Sequence, residues 1–103
     1  MQFMVYLNAN KASGGDVPYL LDVQNDLIAS FKSRVVVPLV SPSKVQFAVS
    51  RLMPIFEIEG ASWVMDTTLM AGISSKLIGK KVADLSHERS RIIAALDVLI
   101  SGI

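Results

Sequence analysis

The hydrophobic period of this chain changes once, near residue 86, and that change restricts what it can fold into. From there "DLSHERSRIIAALDVLISGI" places Ile92, Leu96, Leu99 and Ile103 at i, i+4, i+7 and i+11, one face of a helix. Ile93 and Ile100 broaden the stripe. Ser86 is the expected N-cap, and Gly102 sits where a glycine ends a helix. The stretch before residue 86 is strand-like in short pieces. Many short strands followed by one helix predict a small antiparallel barrel or sheet with the helix packed on it.

The strand-like pieces can be placed. "QFMVYL" (2–7) alternates Phe3, Val5 and Leu7 against Gln2, Met4 and Tyr6. "NANKASGGDVP" (8–18) is a loop, long for a hairpin and polar. "YLLDVQ" (19–24) reads as a strand and "NDLIASF" (25–31) as a turn or irregular link. "RVVVPL" (34–39) is a β-branched run whose Pro38 should place it at an edge or a bulge. The segment 41–53 is ambiguous. "PIFEIEGASWVMDTT" (54–68) reads as a hairpin turning near Gly60, and 69–82 as one or two short strands.

Length and composition narrow the class further. With 103 residues, one domain spanning 1–103 is expected. The chain has no cysteine, which removes disulfides and thiolate metal sites and fits a cytoplasmic protein. Ten basic against nine acidic residues give +1, no footprint for wrapping nucleic acid. The apolar fraction is 51%, high for so small a domain, yet no window nears the roughly 18 apolar residues of a membrane span. The start lacks the basic region of a signal peptide. An obligate homodimer is the simplest home for the surplus apolar surface.

Catalytic patterns are scarce. His87 is the only histidine, and it falls in a first helical turn where a surface role is expected. "GISSKLIGKK" has six residues between its glycines, and a phosphate loop needs four. Asp22 and Asp26 are four apart, but a strand running into a turn should not hold them face to face as an acid/base pair. Trp63, in the second strand of a hairpin, reads as core or half-buried packing. No cofactor or metal is expected.

Several stretches together carry a resemblance. "MQFMVY", "DVQNDLI" (22–28), "VVVPL" (35–39), "SWVMDTTLMA" (62–71), "VADLSH" (82–87) and the final "GI" stand in the order and near the spacing of CcdB-type toxins. The chain resembles that family over nearly its whole length, with slack in the 8–18 loop. The resemblance implies a mainly β fold: an SH3-like barrel with a small additional sheet and one C-terminal α-helix, paired in a twofold homodimer. It implies the toxin of a type II toxin–antitoxin system, not an enzyme. Such a toxin binds the A subunit of DNA gyrase and traps the cleaved gyrase–DNA complex, so that double-strand breaks accumulate. A CcdA-like antitoxin neutralises it. A ligand that prefers one state of an enzyme's cycle holds the enzyme there without doing chemistry.

Residue by residue, the resemblance assigns gyrase contact to Leu27, Ile28, Asp97, Ile100, Ser101, Gly102 and Ile103. It assigns antitoxin contact to Asn8, Asn10, Lys11, Ser13, Asp16, Lys44 and Arg51. Two departures stand out. Reference members carry Trp where this chain has Ser101, and Asn where it has Asp97. Losing an aromatic anchor costs about 2–4 kcal/mol, on the order of 30- to 1,000-fold in affinity. The antitoxin loop keeps only Lys11 of the basic and aromatic residues expected there, which implies an antitoxin pairing private to this system. Two alternatives follow: a non-poisoning homologue that acts as an antitoxin-binding decoy, and a MazF/Kid-like ribonuclease using Arg34 and His87.

Overall fold

The computed structural model describes residues 1–10, 12, 14–28, 32–45 and 51–102, with Ile28 through its backbone alone. Of the residues assigned to partners, Lys11, Ser13 and Ile103 lie outside the described residues. Seven strands form one curled half-barrel sheet: β1 (Met4–Asn8), β2 (Tyr19–Asp22), β3 (Ser33–Val40), β4 (Ile55–Ile58), β5 (Ala61–Met65), β6 (Ala71–Ser74) and β7 (Ile78–Asp84). The helix α1 (Arg89–Ser101) follows. The mainly β architecture with one C-terminal helix agrees with an SH3-like barrel.

The strand order is β4-β5-β3-β2-β1-β7, and β6 branches off β3. All pairings are antiparallel. β3 is the hinge of the sheet. One of its sides pairs β2 at residues 36–39, and the other pairs β6 at residues 33–36 and then β5 at 39–40. Its position therefore differs from the edge or bulge that Pro38 predicts. The Pro38 carbonyl accepts from Asp66 N–H at 3.0 Å. In a strand the N and O of one residue point the same way, so the absent N–H falls where β3 changes partner. Only one ladder bond is forfeited there.

The first strand also departs from the expected alternation. Phe3, Met4 and Val5 are all buried, while Leu7 is exposed. Phe3 has φ 67°, a left-handed conformation that costs a bulky residue about 1–2 kcal/mol. Its N–H donates to the Asp22 carbonyl and its carbonyl accepts from Leu85 N–H. Those two bonds pin the flipped residue and keep its ring in the core, and β1 starts at Met4, two residues later than expected. The 54–68 hairpin turns as expected: Glu59 (φ 51°) and Gly60 (φ 83°) both take positive φ, the two-residue turn that matches strand twist. Glu59 is an unusual tenant of such a turn.

The helix side of the sheet carries the core. Val5, Leu21, Val37, Leu39, Ile58 and Met65 meet Ile92 and Ala95 of α1, each at most 1% exposed. Ile93 and Leu96 flank that seam. Trp63 packs half-buried, edge-on to Tyr19 with ring centroids 5.0 Å apart. The start of the helix corrects the N-cap reading. Ser86–Glu88 is a 3-10 turn and α1 proper begins at Arg89. Neither the turn nor α1 has a side-chain cap; just before the turn, Asp84 Oδ1 accepts the Ser86 N–H at 2.8 Å. These hydrogen bonds lower the Asp84 pKa from its ordinary value.

Arg91 ties the helix to the sheet edge. Its Nη2 donates to the Ile55 carbonyl at 2.9 Å and its Nη1 to Glu88 at 2.9 Å, and the guanidinium lies over the Phe56 ring. Among the described residues, no helix is long and apolar enough to cross a membrane.

Candidate functional site

The helix end and the turn after β2 present the strongest exposed apolar groups. Ile92 and Ala95 anchor the face of α1 that meets the sheet. One to two turns on, that anchoring ends: Ile100 is 75% exposed, and Asp97, Ser101 and Gly102 are exposed beside it. The helix stops at Gly102, whose φ of 77° takes the left-handed region and whose N–H donates to Val98 O at 3.0 Å. That is the terminating role the sequence predicts for it. Ser101 Oγ donates to the Asp97 carbonyl at 2.8 Å, so the hydroxyl folds back on its own helix.

The second apolar group stands on the 3-10 turn Asp26–Ile28, where Leu27 is 90% exposed. The Asn25 side chain accepts the Leu27 N–H at 2.8 Å. Behind the turn lies a cluster that the spacing argument missed. Asp22 is 1% exposed and Arg34 7%. Arg34 Nη2 reaches Asp22 Oδ2 at 2.8 Å and Asp26 Oδ1 at 3.6 Å. The two carboxylates, expected to point apart, therefore converge on one guanidinium. The Met1 amine also donates to Asp22, at 3.0 Å, and to the Tyr6 hydroxyl at 2.8 Å. Burial, then the Asp22 charge, pushes the Tyr6 pKa up from 10.0. Asp22 ends β2 and Arg34 lies at the start of β3, each next to an apolar run, and that pairing of opposite charges at adjoining strand ends is the signal that could have revealed the pair.

The residues assigned to the antitoxin fall into two groups. Asn8 and Asn10 organise their own loop. Asn8 donates to Val17 O at 2.9 Å and accepts from Asn10 N–H, while Asn10 Oδ1 accepts from Ala12 N–H. Asp16 and Lys44 meet at 3.7 Å, bringing the loop and the 3-10 turn Pro42–Lys44 side by side. Both are well exposed, so the pair adds little stability. Arg51 is exposed. Asn8 and Asn10 also line an apolar groove of about 180 Å³ with Val17, Leu20, Ala71 and Ile73.

Arg34 and His87 are not brought together. Arg34 is committed to Asp22, whereas His87 is exposed and lines a separate groove with Phe56, Glu57 and Arg91. Among the described residues no cluster of three or more metal-ligating side chains occurs.

The described residues thus form a half-barrel with one helix, with exposed apolar groups at the helix end and on the turn after β2. The family model described as CcdB protein matches residues 2–102, and the chain belongs to that family. Its class is accordingly that of a toxin in a toxin–antitoxin system.

Proposed function

We propose that this toxin binds the A subunit of DNA gyrase, traps the cleaved gyrase–DNA complex, and acts as a twofold homodimer neutralised by a CcdA-like antitoxin. The observation that carries the reading is the exposed end of α1. Ile100 stands free on a helix fixed by its own buried face and stopped by a left-handed glycine. A rigid apolar end of this kind loses little entropy on docking. Leu27 offers a second such group. A homodimer would double both, and exposed Leu69 and Ile55 give it apolar surface to bury. The action is binding to one state of gyrase, with no bond made or broken by the toxin. Expression in a gyrase-sensitive host should arrest growth and leave gyrase covalently joined to cut DNA. Normal growth with folded protein present would refute it.

One observation favours a second reading, the antitoxin-binding decoy. Ser101 occupies the anchor position and its hydroxyl is turned back onto Asp97, so it presents no aromatic surface. A titration against the dimerisation domain of the gyrase A subunit separates the two. A dissociation constant weaker than about 1 mM, some 4 kcal/mol of interaction, would favour the decoy.

A further inference from the structure

Arg34 binds its acceptors in chain order. Its Nε donates to Asp22 Oδ2 at 2.9 Å, and its Nη2 to the Gln24 carbonyl at 3.2 Å. The same Nη2 lies 3.6 Å from Asp26 Oδ1. Asp22 is the last residue of β2, Gln24 belongs to the link, and Asp26 opens the turn that carries Leu27. Other bonds brace the same path. Gln2 N–H donates to Asp26 Oδ1 at 3.0 Å, and Val35 N–H to Gln24 Oε1 at 2.9 Å. Two carboxylates this close to one another repel unless a cation stands between them. A planar guanidinium can serve both and a carbonyl at once, which a lysine ammonium cannot do in the same geometry.

We propose that Arg34 and Asp26 are positioning residues for the partner-binding turn. They hold the backbone of Asp26–Ile28 so that Leu27 meets its partner already in place. The inference rests on the reading of Leu27 as a gyrase contact. Neither residue needs to touch gyrase, since each acts through Leu27. An exposed leucine on a loose turn would pay for its ordering at the moment of binding, and the clamp removes that cost beforehand.

The test is a double-mutant cycle on the full-length protein, with binding to the gyrase A dimerisation domain measured by calorimetry. Asp26→Ala suits it because that side chain is 51% exposed and its loss leaves the buried Asp22–Arg34 pair intact. Asp26→Ala should weaken binding about 10-fold with thermal stability nearly unchanged, and should cost nothing more in a Leu27→Ala background. Asp26→Asn, which keeps the acceptor for Gln2 N–H, should recover part of the loss. Arg34→Lys should weaken binding in the same Leu27-dependent way. Additive losses, or full affinity in Asp26→Ala, would overturn the positioning role while leaving the gyrase reading standing. Failure of the wild-type protein to bind would overturn the gyrase reading and this inference with it.

Discussion

The turn bearing Leu27 and the helix end bearing Ile100 display the same kind of side chain by opposite means. Leu27 stands exposed on a 3-10 turn of only three residues. Its place is set by polar bonds: Asp26, Asp22 and the Gln24 carbonyl around the Arg34 fork behind it. Ile100 stands on a helix of 13 residues held by Ile92 and Ala95. Its place is set by apolar packing and by a glycine that stops the helix. A short turn cannot bury enough surface to hold itself, so it borrows rigidity from a buried ion pair. A longer helix needs none. The first kind of support fails sharply when one partner is removed. The second fails in proportion to the volume lost.

Substitutions can break or sharpen that contrast. Arg34→Met should have the largest effect, about 3–5 kcal/mol, because the buried Asp22 then loses its buried cation and keeps only the exposed Met1 amine. Urea unfolding measures it, and a loss under 1 kcal/mol would mean that the cluster does not hold the turn. Ile92→Ala should cost about 2–4 kcal/mol by the same measurement, with the loss spread over the core instead of the β2–β3 link. Gly102→Ala meets no neighbouring atom within 4 Å, so only its φ of 77° is penalised, about 1 kcal/mol. Amide exchange should show fraying confined to the last turn of α1.

The smallest effect is a pH dependence at the other end of the helix. The folded-state pKa of Asp84 is depressed below 3.8 by its bonds to Ser86. Its contribution is therefore complete above that value and is lost as pH falls through the lowered one. Asp84→Ala should flatten the acid limb of the stability curve slightly while leaving neutral pH stability almost unchanged. An identical acid limb in the variant would remove Asp84 as a helix anchor.

The regular elements were legible because local signals agreed with tertiary ones. The 54–68 hairpin had two strand-like arms and a glycine at the turn, and the helix had its apolar period and its terminal glycine. Pro38 misled because a sequence shows that a donor is missing but not that a strand changes partner at that residue. The Phe3 conformation was invisible for a related reason. It is imposed by bonds to Asp22 and Leu85, far away in the chain. The ion cluster depends on register: Asp22 opposite Val36 brings Arg34, two residues back, within reach of both acids. The helix-end part of the candidate site came from family resemblance, and its exposure adds to that. The clamp behind Leu27 emerged only from the folded geometry.

Arg91 has a consequence for how the molecule behaves in a crowd. Among the described residues β4 is one of the two end strands of the sheet, and the Ile55 carbonyl points away from its β5 partner. An open sheet edge of this kind is a template on which a second chain can stack. By taking that carbonyl, Arg91 withdraws one rung of the template and covers Phe56 in the same movement. Its loss should therefore register less as a lower melting temperature than as clumping of the heated protein. For a chain with so much apolar surface on offer, the arginine serves as a guard against unwanted company.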